Sequence, residues 1–243
     1  MKGSGNNFLD NLFMSKLQDI KHVFFDLDHT LWDFDKNSAV AFDAIFKKNR
    51  IDVPVEEFLN VYIPINFNYW KYYREARITK EQLRYSRLKK TFDGLNIKID
   101  DFLINRLADD YILHLPQTNH LFDGTLELLA YLNSQYDLHI ITNGFEEVQT
   151  KKLENSGIDF YFKSVTTSES VGVKKPDPKI FLHALQQVNA ISTESVMIGD
   201  TYDADILGAQ GVGMHTICFN YHKAELSENE RVVKELLEIR QFL

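Results

Sequence analysis

The chain has 243 residues, 44% hydrophobic and 26% charged, a composition that allows a sizeable buried core in one domain or a domain with an appendage. Its net charge of −8 leaves no basic surplus to neutralise a phosphate backbone, which argues against a general nucleic-acid polymer binder. One cysteine, Cys218, allows neither an intramolecular disulfide nor a cysteine-based metal site, and no apolar run approaches membrane-spanning length, so a cytoplasmic, non-membrane protein is expected.

Residues 1–19 lack the apolar stretch of a signal peptide and are expected to form a flexible or helical lead-in, with Met14 a second candidate start. Five short apolar segments then read as buried parallel strands: 23–25, 138–141, 164–166, 195–198 and 214–217. Between the last four lie helical patterns. One runs from Gly144 to a terminating Gly157, one starts at Asp177-Pro178, and one spans 203–211. After the first strand the rhythm breaks, and residues 37–115 show helical periodicity alone. Ser38 is expected to open a helix carrying Phe42, Ile45 and Phe46 on one face. Pro64 should kink or split an aromatic-rich helix, Thr79-Lys80-Glu81-Gln82 forms a capping box, and Asp100 precedes Leu103, Leu107 and Tyr111. The expected architecture is an α/β doubly wound parallel sheet from residues 20–36 and 116–243, with an all-helical cap, 37–115, inserted after the first strand.

In such a sheet, ligands bind beyond the carboxyl ends of the strands. Asp26-Leu27-Asp28-His29-Thr30 follows the first strand, and two acids at the end of an apolar strand are costly to bring together unless a cation or proton offsets them. A plain turn would need one Asp. The second strand ends in Thr142-Asn143-Gly144, a hydroxyl, an amide and backbone N–H groups suited to an anion or simply to capping a helix. Lys174-Lys175-Pro176 offers a point charge before the next helix, or a solvated basic turn. Asp200 to Asp205 after the fourth strand adds carboxylates with magnesium preferences, or an acidic first helical turn.

Taken together and in this order, the four elements resemble the D-x-D-x-T, Thr/Ser, Lys-Pro and G-D-x₄-D motifs of the haloacid dehalogenase superfamily over residues 23–219. The resemblance implies a phosphomonoester hydrolase that works through an aspartyl phosphate on Asp26, with Asp28 as general acid and base. Thr142 and the N–H groups around Asn143 and Gly144 would hold the phosphoryl oxygens, and Lys175 would orient nucleophile and phosphate. Mg²⁺ is the implied cofactor, bound by Asp26, the Asp28 carbonyl and Asp200, with Asp205 nearby. Family members that displace halide lack the second acid, so Asp28 implies phosphatase chemistry. A phosphomutase and a sugar-phosphate phosphatase share the same four elements. A non-catalytic binding protein is disfavoured by the intact acids and lysine.

Residues 31–38, 66–70 and 77–81 are similar to the pyrimidine 5′-nucleotidase-like subgroup, although Arg77 stands where that subgroup often has glycine. The partner implied is a small phosphomonoester, with Trp32, Asn66 and Trp70 as substrate-facing candidates. For each aromatic, packing in the hinge or cap core is an equal alternative. Arg84 and Arg87 read more simply as exposed helix arginines. The histidines show no ligand spacing along the chain, and none is assigned.

Overall fold

The computed structural model describes residues 16–227 and 230–243, so Met14 and most of the lead-in lie outside the described residues. They form two compact units: Phe34–Asn119, and the flanking residues up to Asp33 and from His120 onward. No helix among the described residues is long and apolar enough to cross a membrane.

The flanking segments build a six-stranded sheet from β1 (His22–Phe25), β2 (Asp137–Thr142), β3 (Phe162–Thr167), β4 (Ser195–Gly199), β5 (His215–Phe219) and β6 (Val232–Val233). Its order is β3-β2-β1-β4-β5-β6, and every pairing is parallel. Strands buried on both faces need apolar side chains throughout, and Val23, Phe24 and Phe25 of β1 are all fully buried. β3 lies at the edge and buries only part of its length, so its sequence signal is weaker. β6 is two residues long and leaves no period to read. The chain runs outward one way through β2 and β3 and the other way through β4 and β5, which puts the switch point between β1 and β4.

The insert supplies four helices, α1 (Phe34–Asn49), α2 (Val55–Arg74), α3 (Lys80–Gly94) and α4 (Asp101–His114). α1 begins at Phe34, not at Ser38. Ser38 is buried inside the helix, where its hydroxyl lies 2.9 Å from the Tyr111 hydroxyl. Pro64 stands within α2 without splitting it. Thr79 closes the expected capping box with Gln82, and Asp100 accepts the Leu103 N–H at 2.8 Å. Phe42 centres the aromatic core, stacking on Tyr111 at 4.5 Å and meeting Phe58 at 4.7 Å.

The sheet is flanked by α5 (Thr125–Asn133), α6 (Glu146–Asn155), α7 (Ser168–Val171) and α8 (Pro178–Gln187). Gly157, at φ 64°, takes the left-handed turn after α6, and Asp177 caps α8 by accepting the Lys179 N–H. Phe24, Ile141, Met197, Ile180 and Phe181 form one apolar cluster. Burial of each such side chain contributes roughly 1.5–3 kcal/mol. The helix expected over 203–211 is a π-helical turn, Tyr202–Leu207, leading into α9 (Gly208–Gln210). π-turns are frequent at functional sites, and this one carries Asp205 inward to 1% exposure.

Candidate active site

The site grows from the switch point. Phe25, the last residue of β1, is paired with Ile140 on one side and Ile198 on the other. The next residue, Asp26, donates its backbone N–H to the Ile198 carbonyl and leaves the sheet at the carboxyl edge, 8% exposed. Lys175, between β3 and α8, reaches it there. Its Nζ donates to Asp26 Oδ1 and to the Ile141 carbonyl, each at 2.7 Å, and lies 2.6 Å from Asp205 Oδ1. The first two are hydrogen bonds, and the contact with Asp205 is an ion pair.

Asn143 sets the height of that lysine. Its amide donates to the Lys175 carbonyl at 3.0 Å and accepts the Lys175 N–H at 2.8 Å. The side chain expected to meet substrate therefore braces Lys175 instead. Gly144 likewise differs from expectation, because its N–H donates to Thr142 Oγ1 at 3.1 Å. Thr142 Oγ1 also accepts from Gln149 Nε2 at 2.8 Å. With two N–H groups on that oxygen, the Thr142 hydroxyl proton must be directed to a third partner. Gly144 makes this possible, since a Cβ there would stand 2.4 Å from the Gln149 amide.

Gln149 and Lys152 lie three residues apart on α6 and were not foreseen. Gln149 Nε2 donates to Asp28 Oδ2 at 3.0 Å, and Lys152 Nζ lies 2.5 Å from Asp28 Oδ1. The Lys152 ammonium also stands 4.2 Å from the Trp32 ring centroid, and Trp32 is fully buried. Trp32 thus packs against a lysine of the site instead of presenting an open stacking face. The only sequence signal for the α6 pair is its i, i+3 spacing after Thr142.

In the helical unit, Asn66 is buried and accepts from Arg87 at 3.0 Å, and Arg87 is itself 2% exposed and 5.0 Å from the Tyr111 ring. Both belong to that unit's core, against the reading of Asn66 as a substrate contact and of Arg87 as exposed. Arg84 pairs with Asp109 at the surface. Trp70 is half-buried, edge-on to Tyr73 at 5.7 Å. The left-handed residue of the turn before Thr79 is Ala76, at φ 55°, so Arg77 occupies no position that requires glycine.

The electrostatics follow from burial. Desolvation pushes the Asp26 carboxyl up to about 8; Lys175 pulls it down, while Asp205, Asp200 and Asp28 push it up. Burial opposes the Lys175 charge, but Asp205 and Asp26 outweigh it and hold the ammonium above its ordinary range. Asp205 is raised by burial against the pull of Lys175. Asp200 goes the other way: burial opposes its charge, yet the His222 hydrogen bond, His29 and Lys175 leave it below the usual carboxylate range. Thr30 and Thr201 hydroxyls donate to its two oxygens at 3.2 Å.

Oxygens of Asp26, Asp200 and Asp205 lie within 4.8 Å of one another. Three buried carboxylates around one lysine carry excess negative charge, and an all-oxygen donor set is that of a hard dication. Mg²⁺ fits these residues, because its charge would offset both the burial that chiefly raises Asp26 and the repulsion from Asp205 and Asp200. Asp28 turns its carboxylate toward α6, which leaves its backbone carbonyl as the group expected to join them.

The profile of the haloacid dehalogenase-like hydrolases matches residues 23–219, which include Asp26, Asp28, Thr142, Lys175, Asp200 and Asp205. The chain belongs to that family. Within the family it is 34% identical over 207 residues to the pyrimidine 5′-nucleotidase PynA of Streptococcus pneumoniae, covering 84% of this chain and 86% of that protein. It is also 34% identical to the pyrimidine 5′-nucleotidase YjjG of Escherichia coli, over 91% of this chain and 96% of that one. A solved family structure, the putative HAD-hydrolase YfnB of Bacillus subtilis described as bound to magnesium, superposes with a TM-score of 0.81 at 27% identity, covering 90% of this chain and 96% of that one.

Proposed function

We propose that this hydrolase is a Mg²⁺-dependent phosphomonoesterase acting through an aspartyl phosphate on Asp26, with pyrimidine nucleoside 5′-monophosphates as its substrates. The observation that carries the reading is the buried Lys175 ammonium between Asp26 and Asp205, at 2.7 and 2.6 Å, on the strand edge beside the Thr142–Gln149–Asp28 chain of hydrogen bonds. A lysine so held offsets an anionic nucleophile while leaving it hydrogen-bonded and directed. The nucleotide substrate is supported by the two relatives named pyrimidine 5′-nucleotidases. A lone cysteine and an acidic balance suit a cytoplasmic enzyme that turns over small molecules and not nucleic-acid polymers.

In the first step a carboxylate oxygen of Asp26 attacks phosphorus, and the bond from phosphorus to the leaving oxygen breaks as Asp28 gives that oxygen a proton. In the second, Asp28 takes a proton from water, the water oxygen attacks phosphorus, and the Asp26 carboxylate departs as inorganic phosphate forms. Lys175 fixes Asp26 throughout, and the Thr142 hydroxyl donates to a phosphoryl oxygen. Gln149 and Lys152 set the direction of Asp28. Asp26, Asp200, Asp205 and the Asp28 carbonyl would hold Mg²⁺, which would supply the positive charge that lets two anions meet.

The test is release of inorganic phosphate from dUMP, dTMP and simple sugar monophosphates, with EDTA and with Mg²⁺ restored. Release that stops on chelation, returns with Mg²⁺ and has its higher kcat/KM on the nucleotides is expected. Chelator-insensitive release contradicts the metal, and preference for sugars contradicts the substrate class. Transfer of phosphate within a sugar without net release would mark a phosphomutase.

A further inference from the structure

We propose that His29, Asp200 and His222 form a second metal site, one that takes a borderline dication such as Zn²⁺ and draws Asp200 away from Mg²⁺. One donor atom from each lies within 4.8 Å of the other two. His222 Nε2 and Asp200 Oδ2 are 2.9 Å apart. That is a hydrogen-bond length, and an ion at about 2.1 Å from each donor would open it to the roughly 3.4 Å of tetrahedral ligation. Two imidazoles with one carboxylate suit Zn²⁺ and its transition-metal neighbours, whereas the all-carboxylate group around Asp26 suits Mg²⁺.

The surroundings are built to hold these donors. His29 sits in the left-handed region at φ 60°, which histidine tolerates better than most residues, and its N–H donates to the Trp32 carbonyl at 3.0 Å. Its ring stacks on Tyr221 at 5.0 Å and meets the His222 ring at 5.3 Å. Tyr221 precedes His222 in the chain, so one aromatic contact ties the loop after β1 to the loop after β5. Hydroxyls of Thr30 and Thr201 orient the shared carboxylate from behind. The His222 side chain keeps 35% of its exposure, which gives an ion a path from solvent.

Competition for Asp200 rests on the proposed Mg²⁺ role of that residue; binding of Zn²⁺ by the histidines does not. The experiment is calorimetric titration of the metal-stripped full chain with Zn²⁺, with and without saturating Mg²⁺, on wild type, His29→Ala and His222→Ala. X-ray absorption at the zinc edge of the wild type is recorded alongside. A saturable site is expected, weakened more than about tenfold in each variant, with scattering from two imidazoles. Mg²⁺ should weaken Zn²⁺, and Zn²⁺ should weaken Mg²⁺, by the same factor. A carboxylate-only zinc shell, affinity unchanged in both variants, or no saturable binding overturns the site. The absorption spectrum decides this even where a variant misfolds. Two-histidine Zn²⁺ binding indifferent to Mg²⁺ overturns the competition and not the site.

Discussion

Lys175 is where the candidate site is most exposed to a single change. It pairs with two buried carboxylates at once, Asp26 and Asp205, and its own side chain is 2% exposed. Lys175→Met keeps the length and removes the charge, so two acids are left facing each other out of water. Losing one partner of a buried pair costs about 3–5 kcal/mol, which urea unfolding should read directly, together with loss of turnover. Asp28→Asn is the contrasting case. Its side chain pairs with the buried Lys152 and with Gln149 on α6, and Asn keeps the shape and one acceptor oxygen, so KM should stay near wild type while kcat falls ~10²–10⁴-fold as for loss of a general acid. Normal hydrolysis of an alkyl phosphate by that variant would remove Asp28 from the chemistry. Gly144→Ala should act through Gln149, whose amide must move to admit a Cβ. The Thr142 hydroxyl then loses a fixing donor, and kcat should fall in step with Gln149→Leu; a Gly144→Ala enzyme at full activity would show that this brace does not matter.

At the scale of elements, two further outcomes follow from burial. Phe42 packs against Phe58, Tyr62 and Tyr111 at the centre of the α1–α4 unit, and Phe42→Ala should cost about 3–5 kcal/mol of that unit's stability in thermal or urea melts. His139, on β2, is lowered to about 4 by burial first and His22 second. Unfolded histidine protonates near 6.5, so between about pH 6.5 and 4 the unfolded chain binds the extra proton. Stability is therefore whole above that window and falls as pH drops through it, by roughly 1–3 kcal/mol from this residue. Urea midpoints from pH 7 to 4.5 should show the loss, and His139→Gln should flatten it; an unchanged slope would assign the acid sensitivity elsewhere. What the sequence made legible divides along the same physical line. The two-sided burial of β1 and β4 prints as apolar runs, the caps Thr79, Asp100 and Asp177 print as local motifs, and Asp26, Thr142, Lys175 and Asp200 follow strands in sequence. Contacts made only by the tertiary fold leave no such trace: Gln149 and Lys152 reaching Asp28, His222 reaching Asp200, and Trp32 closing on Lys152. Ser38 and Asn143 misled because a residue type that caps helices or donates to anions also bonds neighbours inside a core, and sequence does not distinguish these uses.

For the whole molecule, a charge of −8 must admit an anionic substrate. Overall attraction cannot do this, so the burden falls on Lys175, the Thr142 hydroxyl and the proposed Mg²⁺, acting over a few ångströms where screening is weak. Raising ionic strength should accordingly change kcat/KM little, whereas EDTA should abolish it. The central claim is a covalent phosphoryl group on Asp26. It is met most directly by mixing the Asp28→Asn enzyme with Mg²⁺ and an activated aryl phosphate, quenching in acid, and mapping the modified peptide by mass spectrometry. A phosphoryl adduct on Asp26, absent from Asp26→Asn and from EDTA-treated enzyme, is the result this account predicts. Rapid release of the aryl alcohol with no adduct at Asp26, or turnover retained in folded Asp26→Asn, would contradict it.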